Sequence, residues 1–225
     1  MKLSIIMPVL DEAAGIEAAL AALAPYRARG IDVIVADGGS QDGTAELARS
    51  LADRVLTAAR GRAAQMNAGA AAATGDVLLF LHADTRLPHH ADRLVLDGLA
   101  RSDKAWGRFD VCFDGGLGLI AFMMNWRSRL TGIATGDQAL FVSRAAFEQA
   151  GGFPLIALME DVALSAKLKR LSRPLALHAR VTTSTRRWRQ HGVIRTILLM
   201  WQLRLAFFFG ADPAKLARAY GYAER

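Results

Sequence analysis

Carboxylates recur in this sequence directly after short apolar runs, where a side chain leaving a buried strand becomes free to act on a ligand. Asp11 and Glu12 follow the run 3–7 through Pro8-Val9-Leu10. Asp37 follows the run 33–36 and opens Asp37-Gly38-Gly39-Ser40-Gln41-Asp42-Gly43-Thr44. Asp84 follows the run 77–81 in His82-Ala83-Asp84-Thr85. A carboxylate at a strand end can accept hydrogen bonds from a base or a ribose, and neighbouring glycines such as Gly39 permit tight turning and close approach. Asp84, two residues from His82, has the chemistry to bind a divalent cation bridging a diphosphate. A further acidic pair, Glu160-Asp161, opens a helical stretch and offers a general base for a hydroxyl, if it stands near the reacting carbon and apart from the metal. Each has a plain structural alternative. Asp42 suits a helix cap or turn, Glu12 a helix start, Asp84 a turn or the cap of a helix beginning near Pro88, and Glu160-Asp161 the positive end of a helix dipole.

The elements that must hold these groups are legible from periodicity. Runs 3–7, 33–36, 55–57 and 77–81 are continuously apolar, which suits parallel strands covered on both faces. Between them, residues 14–24, 44–51 and 62–73 are alanine-rich with helical spacing. Repeated strand, helix, strand units imply right-handed crossovers and a doubly wound, nucleotide-binding half, with ligands beyond the carboxyl ends of the strands. The second half is expected to be mixed. Residues 106–113 alternate as an exposed strand, 115–118 form a loop and 119–130 an apolar helix. Residues 139–142 form a short buried strand, 159–171 a helix, and 174–185 an extended segment. No linker divides the chain, so one α/β domain over 1–225 is expected: a binding half (1–103), a mixed half (104–189) and a helical C-terminal segment (190–225).

Composition bounds the class. With 52% hydrophobic and 22% charged residues the 225-residue chain is globular. Cys112 is the single cysteine, which excludes an internal disulfide and favours a reducing, cytoplasmic setting. The first apolar stretch is too short for a secretory leader, and no uncharged run approaches the roughly 18–20 residues of a spanning helix. Net charge is +7. Between Asp161 and Asp212 the chain has no acidic residue, while Lys167, Lys169, Arg170, Arg173, Arg180, Arg186, Arg187, Arg189, Arg195 and Arg204 fall there, a field that attracts phosphates, anionic lipid or nucleic acid. Residues 192–210 are strongly apolar but interrupted by Arg195, Gln202 and Arg204, consistent with a helix lying on an anionic membrane surface or with a buried C-terminal helix.

Taken in order, SIIMPVLDE, VIVADGGSQDGT, GRAAQMNAGAAAATGD with its Asn67-Ala68-Gly69 turn, FLHADT, GDQALFVSR, GGF and MEDVALSAKL resemble family 2 of the glycosyltransferases, over Leu3 to about Arg189. The resemblance implies the GT-A fold: a Rossmann-like, mostly parallel central sheet with a mixed acceptor side. It implies an inverting transfer from a nucleotide diphosphate sugar, a UDP-sugar ahead of a GDP-sugar, to a hydroxyl acceptor, lipid or apolar acceptors included. By it, nucleotide-sugar contacts fall at Pro8, Val9, Glu12, Asp37, Gly39, Arg62, Asn67, His82 and Ala83. Asp161 is the base, and Gly136, Asp137, Glu160, Arg187 and Trp188 serve the acceptor or diphosphate. Asp84 looks like the last carboxylate of the Asp-X-Asp metal signature for Mn2+ or Mg2+. The first carboxylate of that signature is His82 here, a softer ligand acceptable to manganese. Arg186 and His178 are further candidates. Three rivals remain: a sugar nucleotidyltransferase, for which PVLDEAAG lacks the Gly-rich basic loop; a non-catalytic nucleic-acid-binding module, for which only RRWR offers basic residues beside an aromatic; and a degenerate transferase fold kept as a scaffold. The reading excludes nucleic acid as the partner.

Overall fold

The computed structural model describes residues 1–222; the last three residues of the expected C-terminal segment lie outside the described residues. The first half alternates strand and helix: β1 (Leu3–Val9), α1 (Ala13–Ala21), α2 (Ala24–Arg27), β2 (Asp32–Asp37), α3 (Thr44–Ala48), β3 (Arg54–Thr57), α4 (Arg62–Ala72) and β4 (Val77–Phe80). β1 pairs in parallel with β2 and β4, and β2 with β3. Every residue of β1, β2 and β4 is buried, as continuous apolar runs sandwiched between two helical layers must be. The expected helix over 14–24 is broken into α1 and α2, with a proline opening the second piece. Asn67-Ala68-Gly69, expected as a turn, lies inside α4. Gly69 is the point where that helix settles on Ile6 of β1, with no room for a Cβ.

The second half continues with β5 (Thr85–Arg86), α5 (Ala91–Ala100), β6 (Trp106–Phe113), α6 (Gly118–Thr131), a 3₁₀ turn at Gly136–Gln138, β7 (Phe141–Ser143) and α7 (Arg144–Gln149). After these come α8 (Glu160–Leu168), β8 (Leu175–Thr183), α9 (Arg186–His191), α10 (Val193–Phe208) and α11 (Pro213–Tyr220). The eight strands form one mixed sheet in the order β3-β2-β1-β4-β7-β6-β8-β5. β7 runs antiparallel between β4 and β6, β8 is parallel to β6, and β5 is antiparallel to β8. The helix expected near Pro88 starts only at Ala91, because His90 sits in the left-handed region at φ 56°.

β6 corrects the sequence reading. It was expected to be exposed, but its first six residues are buried between β7 and β8. The polar positions that imitate solvent-facing alternation are Arg108, fully buried, and Asp110, which neutralise each other inside the fold.

Two large apolar clusters cover the two faces of the sheet, one around Ile5, Val33 and Leu79, the other around Ile6, Ile34 and Phe80. A third joins Leu203 of α10 and Leu216 and Ala217 of α11 to Leu158 and Met159, the two residues before α8. The C-terminal helices therefore clamp the segment that carries the acidic pair. α10 itself buries only Thr196 and Leu203 and leaves Ile194, Leu198, Trp201, Leu205 and Phe208 exposed.

Candidate active site

The carboxyl ends of β1, β2 and β4 open onto one rim, and two loops are laced together there. Asp37 is buried, and its Oδ2 accepts from the N–H groups of Gly39 and Ser40 at 3.0 Å each while Oδ1 accepts from the Ser40 hydroxyl. Gly39 takes φ 88°, which favours glycine. Asp11 and Ser40 exchange bonds across the gap: Asp11 N–H donates to Ser40 Oγ, and Gln41 N–H donates to Asp11 Oδ1, both at 2.9 Å. Asp42 accepts from Thr44 N–H at 3.0 Å and from Ala13 N–H at 2.9 Å, so it shapes the turn into α3 and ties it to the start of α1. Beneath the rim, buried Gln65 of α4 donates through Nε2 to the carbonyls of Val9 (2.5 Å) and Ala36 (3.0 Å), and Gly38 N–H donates to Val9 as well. Pro8 is a buried strand residue paired with Ala36. Sequence reading missed Gln65; its signal was a polar residue on the face of α4 otherwise made of Ala63, Met66, Gly69 and Ala70.

Glu12 stands on this rim. Its carboxylate accepts from the Arg186 guanidinium at 3.2 Å, tying the first loop to α9 across the whole chain. That pairing, with the Asp84 charge acting in the same sense, pushes the Arg186 pKa up from its ordinary value. Arg186, rather than Arg187, thus faces the rim. Arg187 lies over the Tyr220 ring at 3.6 Å and donates to the Tyr220 carbonyl at 2.8 Å, while Trp188 meets Phe113 edge-on at 5.6 Å. Both expected acceptor-side residues are occupied in fastening α9 to its neighbours. Asn67 is similarly engaged: its amide exchanges two bonds with the backbone of Phe153, at 2.8 and 2.9 Å, locking α4 to the Gly151-Gly152-Phe153 loop. Arg62 is exposed, with its guanidinium 5.6 Å from the Tyr222 ring centre and in the field of Glu160 and Asp137.

Beyond β4, Ala83 packs against the core and Asp84 is exposed, accepting only from Thr85 Oγ1 at 3.3 Å. His82 Nδ1 stands 3.6 Å from Asp137 Oδ1. Among the described residues no group of three or more His, Cys, Asp or Glu side chains forms a metal cage. An exposed carboxylate with free lone pairs nevertheless fits Mg2+ or Mn2+, which keep much of their shell for phosphate oxygens and water and need only one or two carboxylates. Asp84 meets that requirement.

The acidic pair lies at the start of α8, in a small pocket with His82 and Gly136. Met159, immediately before it, is held at φ 70° by the third apolar cluster, a strained conformation for a side chain with a Cβ. Asp161 is half-buried. Its Oδ2 accepts from Gly136 N–H at 2.7 Å and its Oδ1 from Val162 N–H at 2.7 Å. Gly136 in turn abuts the His82 ring so closely that a Cβ would run into the imidazole. Glu160 is buried, and burial, followed by the charge of Asp161, pushes its carboxyl up to about 7. His82, Gly136, Glu160 and Asp161 share a small pocket with Met66, Phe80, Leu140 and Phe153. His178 lies apart, exposed beside Arg129 and Asp110 along a groove of about 290 Å³ between α6 and the β6–β8 strands.

Carboxyl ends of parallel strands gathered on one rim, an exposed strand-end carboxylate, and an acidic pair beside His82 in the mixed half fit the GT-A class of architecture. Residues 4–141, more than half of the chain, match glycosyl transferase family 2, and the chain belongs to that family. It is 39% identical over 114 residues to the succinoglycan biosynthesis protein ExoA of Rhizobium meliloti (strain 1021), a stretch covering 43% of this chain and 32% of that protein. Among solved structures, S. aureus TarS 1–349 in complex with UDP-GlcNAc superposes with a TM-score of 0.69 at 19% identity, over 82% of this chain and 58% of that one. The mannosyltransferase PcManGT from Pyrobaculum calidifontis, in complex with GDP-Man and Mn2+, gives 0.65 at 20% identity over 98% and 69%. Glucosyl-3-phosphoglycerate synthase from Mycobacterium tuberculosis, with Mn2+, UDP and phosphoglyceric acid, gives 0.60 at 20% over 81% and 69%. The chain thus spans about a third of the length of the curated relative and less than two thirds of the TarS chain. At these identities the structural likeness is one of fold.

Proposed function

We propose that the chain transfers a sugar from a nucleoside diphosphate sugar, a UDP-sugar ahead of a GDP-sugar, to a hydroxyl acceptor with inversion, and that Asp161 is the base. The observation that carries this reading is the Asp161 carboxylate itself, fixed by the Gly136 N–H beside His82 and across from the strand-end rim. The acceptor oxygen attacks the anomeric carbon, its proton passes to Asp161, and the bond from that carbon to the diphosphate oxygen breaks. A single in-line displacement inverts the centre. The nucleoside sits beyond the carboxyl ends of the parallel strands, where Glu12 and Gly39 line the rim and Asp37 keeps the loop in shape. Arg186 and Arg62 offset the charge of the departing diphosphate. Asp84 would hold Mn2+ or Mg2+, which supplies charge neutralisation at the diphosphate when bound; the Mn2+ complexes of two fold relatives support that reading.

The exposed apolar residues of α10, together with Leu119, Phe122, Met123, Trp126 and Leu130 of α6, support peripheral attachment to an anionic membrane surface, at the cytoplasmic face, and a lipid or other apolar acceptor. No described helix is long and apolar enough to cross a membrane.

The deciding experiment incubates the purified chain with a panel of UDP- and GDP-sugars, with manganese or magnesium, and measures release of the nucleoside diphosphate. Turnover by the wild-type chain that collapses in Asp161→Asn is expected. Near-wild-type turnover by that variant would make the assignment wrong.

A further inference from the structure

The groove of about 290 Å³ between α6 and the β6–β8 strands shares no lining residue with the pocket that holds His82 and Asp161. Its two walls are pinned together by one side chain: Asn125 of α6 accepts the Val111 N–H at 2.8 Å and donates to the Val111 carbonyl at 2.9 Å. Gly118 and Ala121 also line the groove from α6, and their small size leaves the gap open. Opposite them β8 bulges. Its pairing with β6 passes from Phe109–Leu177 directly to Asp110–Arg180, so His178 and Ala179 drop out of the ladder beside Asp110.

The charges in the groove do not balance. Asp110 is buried, and its carboxylate is already claimed by Arg108 and by Arg129 Nη2, the latter at 2.6 Å. Arg180, the cross-strand neighbour of Asp110, thus finds its nearest counter-ion taken. It is exposed and has no hydrogen bond or ion pair among the described residues. Arg129 Nη2 also lies 2.9 Å from His178 Nδ1. A guanidinium can only donate, so Nδ1 accepts, and the neutral His178 carries its proton on Nε2. That side chain is 88% exposed. One carboxylate against three guanidiniums leaves the groove positive, with the Arg180 guanidinium and the His178 Nε2–H as donors not spent inside the protein.

The remaining wall is aromatic. Phe122 and Trp126 line the groove with rings parallel to within 5° and centres 6.5 Å apart, and both also belong to the exposed apolar stripe that Leu119, Met123 and Leu130 continue along α6. Unspent cationic donors beside an apolar wall that runs out onto an exposed stripe match an anionic amphiphile. A neutral sugar would leave the Arg180 charge unanswered, and a small soluble anion would leave the rings bare. Building on the membrane-attachment reading, and independently of the transfer chemistry, we propose that this groove seats the headgroup of an anionic phospholipid. Arg180 and His178 hold the phosphate oxygens, and the acyl chains pass Trp126 and Phe122 to lie along α6. Attachment then has a discrete lipid site in addition to a greasy surface.

Cys112, the single cysteine, is half-buried and lines the groove, so its alkylation by N-ethylmaleimide reports occupancy. The test uses the full chain with Arg180→Gln, Trp126→Ser and a control, Arg173→Gln, which removes the same charge from an exposed position outside the groove. The probes are monomeric dihexanoyl phosphatidylglycerol, inorganic phosphate, and phosphatidylcholine vesicles with and without phosphatidylglycerol. Any basic residue near a bilayer adds diffuse attraction, so the monomeric lipid decides. Saturable protection of Cys112 by that lipid is expected in the wild-type chain. Its half-saturating concentration should rise roughly tenfold in Arg180→Gln, the scale of a lost charge-assisted hydrogen bond, rise in Trp126→Ser, and stay unchanged in the control. Absence of protection in the wild-type chain overturns the proposal, as does equal weakening by Arg173→Gln. Protection by inorganic phosphate as effective as by the lipid makes the groove a soluble-anion site and overturns the lipid assignment. Vesicles separate the two readings: a wild-type chain that ignores anionic vesicles sinks membrane attachment and this site with it, whereas co-sedimentation that leaves Cys112 unprotected sinks this site alone.

Discussion

Asp161 Oδ2 accepts the Gly136 N–H at 2.7 Å, and Gly136 lies directly against the ring of His82, so the acidic pair is latched to the end of β4 through a single backbone amide. The latch explains how a half-buried carboxylate on one helix keeps a fixed bearing toward a rim built by other strands. An asparagine at 161 keeps an oxygen for that amide but cannot take a proton. Asp161→Asn is therefore expected to lower kcat by about 10²–10⁴-fold, with an unchanged far-ultraviolet circular dichroism spectrum and little change in donor affinity.

Gly136 makes a second prediction. A methyl group there enters the His82 imidazole, so either the ring or the 3₁₀ turn must move. Gly136→Ala is expected to cost about 1–3 kcal/mol of stability from overpacking, read by urea denaturation. It should also reduce turnover at least tenfold by shifting Asp161. Wild-type turnover in this variant would show that the latch is not needed.

Glu160 gives a prediction with a definite sign in pH. Its folded-state pKa is raised from an ordinary 4.5 to about 7, by burial first and by Asp161 second. A raised pKa means that the folded state favours the protonated form. This contribution to stability is fully present below pH 4.5 and is lost as pH rises through about 7. Glu160→Gln, which stays neutral, should match the wild-type chain near pH 4 and exceed it near pH 8 by about 3 kcal/mol, because each tenfold change in proton affinity is worth about 1.4 kcal/mol. Chemical denaturation at the two pH values checks it, and a variant less stable than wild type at the higher pH would contradict it.

The strands were the most legible part of the molecule, because β1, β2 and β4 are buried on both faces and their sequences say so without alternation. β6 misled for the opposite reason: Arg108 and Asp110 look like solvent-facing residues until their pairing is seen, and no local pattern announces a partner two residues away that is buried with it. In the candidate site, Asp84 and Glu12 could be picked out because they follow runs whose ends must lie on one rim, and Glu160 and Asp161 because two adjacent carboxylates open a helix. Residues whose role depends on what reaches them from afar could not. Asn67 is spent on Phe153 and Arg187 on Tyr220, while Arg186 crosses to Glu12, and each of these is a long-range contact.

Arg186 should therefore matter more to ligand than to fold. Its link to Glu12 is a partly exposed ion pair, a kind that contributes little to stability. Its position at the rim, within the field of Asp84, is the ground for proposing it as a cation for the diphosphate. Arg186→Ala is expected to leave the unfolding midpoint within about 2 °C of wild type while weakening UDP binding roughly tenfold, the scale of a lost charge-assisted hydrogen bond. Calorimetry alongside thermal unfolding separates the two, and a large drop in midpoint without loss of UDP affinity would reverse the assignment.

The exposed stripe of α10 is the remaining liability and the basis of the last prediction. Trp201 and Phe208 are 62% and 81% exposed, and Ile194, Leu198 and Leu205 extend the same side of the helix. Left in water, such a surface invites aggregation; laid on a bilayer, it would bury apolar area, and the exposed Arg195 would meet anionic headgroups. Each aromatic ring buries about 150–250 Å² when covered, worth several kcal/mol at roughly 25 cal/mol per Å², so removing two should be visible in partitioning. The double variant Trp201→Ser, Phe208→Ser is expected to reduce co-sedimentation with vesicles containing phosphatidylglycerol at least tenfold. Raising salt from low to moderate concentration should weaken the wild-type chain, because part of the attraction is screened. If the wild-type chain stays in the supernatant with both neutral and anionic vesicles, the stripe is not a membrane surface.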